Sequence, residues 1–124
     1  LKTNLEAKAG SALGTSAYID DACLSELKQV LDAEMLRGLI SKFVQDTETD
    51  LETLDQHGLS DIEMAEIVHR IAGAAAALGA AQFRQDLVAA ERALRDEHTA
   101  QARDLIGNLK LTWKETKIRL EAVI

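Results

Sequence analysis

The sequence contains no proline, one cysteine and only four aromatic residues (Tyr18, Phe43, Phe83 and Trp113) among its 124 positions. Without proline, no helix has to break at a missing N–H or a ring clash. The lone Cys23 excludes a disulfide within the chain and suits a reducing compartment. With so few rings, aliphatic side chains must build the core. No run reaches the roughly 18 apolar residues of a membrane span, and residues 1–16 lack the apolar centre of a signal peptide. The expected location is therefore cytoplasmic, with no direct membrane contact. The chain opens on Leu1 rather than Met, which raises the expectation of a longer parent polypeptide, one that can itself be membrane-anchored.

Positive charge is also scarce: 14 Lys and Arg stand against 21 Asp and Glu, a formal net charge of −7. That balance opposes binding to a polyphosphate backbone and argues against nucleic acid as a partner. There is no glycine-rich phosphate loop, no Ser-His-Asp set and no Cys/His zinc spacing. With nothing to bind ATP, the chain is not a kinase by itself.

Helix-forming Ala, Leu, Glu, Lys, Arg and Gln dominate what is there. Residues 1–16 are small and polar and read as a linker or tail. A short helix follows Asp20, carrying Leu24 and Leu27. Asp32 can cap a longer one over 33–56, where Leu36, Ile40, Phe43, Thr47, Leu51 and Leu54 recur at spacings of three and four. His57-Gly58 ends it. Ser60-Asp61-Ile62-Glu63 is a capping box that starts a third helix, with Leu59 and Met64 placed as a hydrophobic staple. Gly79 terminates that helix near residue 78. A fourth spans about 81–96, with Phe83, Leu87, Ala90 and Leu94 on one face. Thr99 can cap a fifth over 100–122, with Leu105, Leu109, Trp113 and Leu120 as its buried stripe. Short connections make the long helices antiparallel. The expected fold is all-α: an up-and-down four-helix bundle over 17–124 with a short extra N-terminal helix.

The third helix carries the chemistry. At about 100° per residue, Met64, Ile67, Ile71, Ala75 and Leu78 fall opposite His69, so His69 faces out. Beside it come Ala65, Ala72, Gly73 and Ala76, with Ile62 two turns earlier and Glu66 and Arg70 as flanks. Exposed helix faces normally carry long polar side chains; this one is nearly bare around a single imidazole. Gly73 costs a helix about 1 kcal/mol against alanine, and room for a neighbouring group is a reason to bear it. Close helix packing is an alternative use for the alanines. His57 and His98, near helix ends, read as incidental surface residues.

His69-Arg70-Ile71-Ala72-Gly73, followed by Leu78-Gly79-Ala80, resembles the motif of the histidine-containing phosphotransfer (HPt) domain of bacterial multistep phosphorelays. The flanking helices share the resemblance, through Leu31–Leu36, Phe43, Leu87 and Glu91, over about residues 18–122. It implies that His69 takes a phosphoryl group from the aspartyl phosphate of a response-regulator receiver domain and passes it to another aspartate. It makes Nε2 the phosphorylated nitrogen, puts the Mg²⁺ on the receiver and requires no cofactor here. Ala65, Ala72, Gly73 and Ala76 would admit the receiver's loops, with Ile62 and Glu66 at the docking edge. The chain would act as a phosphotransfer intermediate rather than a stand-alone enzyme, a monomer when isolated, and a piece of a hybrid sensor kinase system.

Two positions depart from the family pattern. The motif lysine is Ala72 here, leaving Arg70 or Arg84 as substitute cations for the phosphoryl oxygens. Glu91 stands where many relatives place glutamine; it can accept a hydrogen bond from the imidazole or pair with Arg95 at i+4. The lost lysine makes a docking-only relative a rival reading, with a plain helical scaffold or dimerisation module as another. Glu66-Ile67-Val68-His69 has the Glu-x-x-His spacing of di-iron bundles, but those need a second copy, and none exists. The acidic run Asp46, Glu48, Asp50, Glu52, Asp55 reads as a solvated helix face.

Overall fold

The computed structural model describes residues 18–56 and 58–123. The expected tail over 1–16, and His57, lie outside the described residues. The described residues form five helices and no strand: α1 (Asp21–Val30), α2 (Ala33–Leu54), α3 (Asp61–Ala77), α4 (Ala81–Arg95) and α5 (Thr99–Glu121).

Side-chain caps start the first three. Asp20 accepts from the Cys23 amide at 3.1 Å and Asp32 from the Met35 amide at 2.8 Å. The capping box before α3 closes both ways. Ser60 Oγ accepts from the Glu63 amide at 3.1 Å, and Glu63 Oε1 accepts from the Ser60 amide at 2.9 Å. The last helix departs from expectation. It begins at Thr99, one residue early, and His98 occupies the cap position without a side-chain cap bond. Helix α2 stops at Leu54, two residues short of the expected end, and Gly58 makes the left-handed turn at φ 95°.

The long helices form a ring in which α3 packs on α4, α4 on α5, α5 on α2 and α2 on α3. Consequently α3 and α5 stand diagonally across the bundle. The core is aliphatic, built from residues such as Ile40, Val68, Leu87, Leu109 and Leu120. Its one aromatic cluster sets Trp113 edge-on to Phe43, at 5.5 Å between ring centres, and tilted against Phe83 at 5.2 Å.

Helix α1 is pinned across the α3–α4 turn. The Asp20 amide donates to the Gly79 carbonyl at 2.7 Å. Gly79 has φ 74°, and a Cβ there would stand 3.1 Å from both the Asp20 carbonyl oxygen and Cys23 Cβ. Only glycine meets both demands without strain.

The acidic run is not simply solvated. Glu48 accepts from Lys117 at 2.9 Å and from the Trp113 indole at 3.4 Å, Asp50 accepts from Arg70, and Asp55 from Lys110. Three of the five acidic residues of the run therefore tie α2, or the cap at its end, to a neighbouring helix. Among the described residues no helix is long and apolar enough to cross a membrane.

Candidate functional site

The exposed arc of α3 is narrower than helical periodicity suggests. Ile62, Glu66, His69, Arg70, Gly73, Ala74, Ala76 and Ala77 are exposed, whereas Ala65 and Ala72 are buried. Those two were expected beside the histidine on the open face, and the structure corrects that placement. The reason is that α3 has two covered sides. One faces α2; the other lies so close to α4 that Ala65, Val68, Ala72 and Ala75 pack along it. Small side chains there serve helix contact, the alternative use of alanine. His69 therefore sits at the border of the open arc, next to α4.

That border position brings His69 to Glu91. The imidazole side chain is 73% exposed, while the Glu91 side chain is only 17% exposed. His69 Nδ1 and Glu91 Oε1 are 3.1 Å apart, and Arg95 Nε donates to Glu91 Oε2 at 2.8 Å. Both partners foreseen for Glu91 are thus present together, one on each oxygen. Burial raises the Glu91 carboxyl, but hydrogen bonds from Arg95 and His69 outweigh it and hold the group below its ordinary value. Near neutral pH it is ionised, and an ionised carboxylate can only accept. Nδ1 of His69 therefore carries the hydrogen and donates it. In the neutral ring the lone pair then belongs to Nε2, the outer nitrogen.

The candidate cations fare differently. Arg70 is turned away: its guanidinium donates to Asp50 Oδ1 on α2 at 2.9 Å, beside a cleft floored by Phe43, Ile71 and Ala74. Asp50 is the residue that sequence reasoning missed, because its role depends on the α2–α3 register. Arg84 is exposed on α4 and lines a shallow cleft with Ala76 and Gly79. It has no ion pair or hydrogen bond with another described side chain. Seven residues before Glu91, it lies about 10 Å along the helix from that carboxylate. Gly73 is open, with nothing within 4 Å of a Cβ built on it. Among the described residues, no three His, Cys, Asp or Glu side chains converge as a metal site would require.

A rigid, outward imidazole with one nitrogen committed to a carboxylate suits nucleophilic transfer of a small charged group. Comparison with known proteins decides the family. The model of the Hpt domain family matches residues 38–123. The chain belongs to the Hpt domain family. No curated protein matches it. A solved structure from rice, of a protein assigned as a histidine-containing phosphotransfer protein, has the same fold. Its TM-score is 0.76 at 12% identity, over 89% of this chain and 83% of that one. Membership connects this Hpt domain with histidine phosphotransfer in phosphorelays, where such domains meet receiver domains. Position 72 of this Hpt domain brings no charge to the open face, since it is an alanine, and that alanine is buried at 7% exposure.

Proposed function

We propose that this Hpt domain relays a phosphoryl group between receiver-domain aspartates through Nε2 of His69. The observation that carries it is the pairing of an exposed ring with a mostly buried, ionised Glu91 on the Nδ1 side. The Nε2 lone pair attacks the phosphorus of an aspartyl phosphate. The N–P bond forms as the P–O bond to the aspartate breaks, and the freed carboxylate leaves with the receiver. Nδ1 keeps its hydrogen, so the ring gains positive charge as the bond forms, and the Glu91 carboxylate compensates it. A second receiver's aspartate reverses the step. Positioning and charge stabilisation dominate such transfers, and the receiver is expected to supply Mg²⁺.

Ile62, Glu66, Gly73 and Ala76 form the docking edge in this proposal, with Arg84, which shares a cleft with Ala76, as a cation not already bonded to another described side chain. Ala65 and Ala72 act from beneath, by letting α4 come close. A cytoplasmic setting follows from the same reading, since receivers of hybrid kinases act there. Ala72 supports one rival, a domain that docks on receivers without accepting the group.

The test is incubation with a receiver domain carrying labelled phosphate, with His69→Gln as control. Label reaching the wild type alone is the expected result. Stable binding without label supports the docking-only rival, and neither binding nor label contradicts both.

A further inference from the structure

Glu91 bonds two groups at once, and the two bonds are unequal. Its Oε1 lies 3.1 Å from His69 Nδ1, and its Oε2 accepts from Arg95 Nε at 2.8 Å. The bond to Arg95 joins two full charges, and such bonds are roughly twice as strong as neutral ones. The other is made to a ring that is largely neutral at cellular pH. Arg95 stands one turn beyond Glu91 on α4, its side chain 48% exposed against 17% for Glu91. Its bond is to the carboxylate and not to the ring.

We propose that Arg95 is a positioning residue, which holds the Glu91 carboxylate so that Oε1 faces Nδ1 and thereby keeps the lone pair of His69 on Nε2. A carboxylate has about four lone-pair sites to satisfy. Leaving one oxygen bare in a part-buried seam costs free energy that a bond to a neutral ring does not offset. With Arg95 in place, Oε2 is satisfied within the seam and the group has no reason to turn. Without it, the side chain rotates toward water to hydrate Oε2, and Oε1 leaves Nδ1. The ring then lacks its fixed acceptor, and the bond made by one ring nitrogen is what sets the hydrogen on the other. Arg95 also opposes the burial that raises the Glu91 carboxyl, so the group remains an acceptor. A protonated carboxyl would donate to Nδ1 and drive hydrogen onto Nε2, the nitrogen that the relay needs bare.

Arg92 provides the contrast. It lines a cleft on α4 with Val88, Glu91 and Arg95, so it brings an equal charge to the same neighbourhood. Residues one position apart on a helix do not face each other, and Glu91 takes its bonds from His69 and Arg95 instead. Charge without that geometry does not hold the carboxylate. The consequence for phosphoryl transfer rests on the relay through His69, whereas the place of the hydrogen on the ring does not.

Ring ¹⁵N chemical shifts of His69 in the full, unphosphorylated chain test this at mildly alkaline pH, where an ordinary imidazole is neutral. The wild type is expected to show a hydrogen-bearing Nδ1 and a bare Nε2. Arg95→Leu should mix the two forms, Arg95→Lys should restore most of the wild-type pattern, and Arg92→Leu should leave it unchanged. Circular dichroism of each variant separates a lost bond from a lost fold. In the transfer assay, Arg95→Leu should lower the rate of label uptake several-fold, with Arg95→Lys in between. Hydrogen on Nε2 in the wild type overturns the proposal, as does an unchanged ring pattern in Arg95→Leu. So does an Arg92→Leu ring as mixed as that of Arg95→Leu, or a lysine variant no better than leucine. Absence of label on every form, wild type included, counts against the relay, and the ring shifts still decide the role of Arg95.

Discussion

His69 Nδ1 and Glu91 Oε1 stand 3.1 Å apart, and in the proposed relay the carboxylate chooses the nitrogen. Glu91→Gln keeps an oxygen that can accept from Nδ1 but removes the charge; Glu91→Leu removes both. Phosphoryl acceptance is expected to fall in the first and to fall further in the second, in a receiver-to-domain transfer assay. Equal activity of both variants and wild type would contradict the assigned role. The cations are separable in the same assay. With Arg70 held by Asp50, Arg70→Ala should barely change the phosphohistidine lifetime, whereas Arg84→Ala should shorten it several-fold. If neither changes it, no arginine replaces the missing lysine.

Acid sensitivity follows from the same residues. Glu91 lies below its ordinary value because hydrogen bonds from Arg95 and His69 outweigh the opposing effect of burial. A depressed carboxyl contributes stability that is present above its unfolded value and lost as pH falls through its folded value. Glu48 is depressed too, chiefly by the hydrogen bond from Lys117, and Lys117 is raised by Glu48. That pair therefore stabilises across neutrality. Its contribution fades at acid pH through Glu48 and at alkaline pH through Lys117. Glu48→Gln should flatten both limbs of a stability-against-pH curve measured by denaturant unfolding, and Glu91→Gln only the acid limb.

Among the elements, the three starts and the turns were legible because their chemistry is local. Asp20, Asp32 and the Ser60 box satisfy backbone donors within three residues, and spacing in the sequence reveals that directly. Ser60→Ala should cost about 1 kcal/mol. Gly79→Ala should cost more, since it adds a left-handed strain of about 1–2 kcal/mol to a crowded Cβ site. Thermal or denaturant unfolding checks both. The open face of α3 was only partly legible. Periodicity places a residue by angle, but the width of a buried arc depends on how many neighbours a helix has. Ala65 and Ala72 fell on the wrong side of that border because α3 touches both α2 and α4. Gly73 remains open, so Gly73→Ala should raise stability by up to about 1 kcal/mol. Gly73→Leu should leave the fold intact yet reduce transfer several-fold. Unreduced transfer in that variant would mean the receiver approaches elsewhere.

At the scale of the molecule, the sequence was enough for an all-α antiparallel bundle because four helices with short connections have few other ways to bury their stripes. Cross-bundle pairings were not legible. Arg70 with Asp50, and Glu48 with Lys117 and Trp113, depend on how helices slide past one another, which no local spacing encodes. The bundle as a whole makes α3 a rigid mount, held by α4 along one side and by α1 at its C-terminal turn. That rigidity lets one carboxylate fix the imidazole. Phosphorus–nitrogen coupling in the NMR spectrum of the ¹⁵N-labelled, phosphorylated domain tests this most directly. Coupling to Nε2 of His69, with Nδ1 still bearing its hydrogen, is the predicted result; phosphorus on Nδ1, or on any residue other than His69, would contradict it.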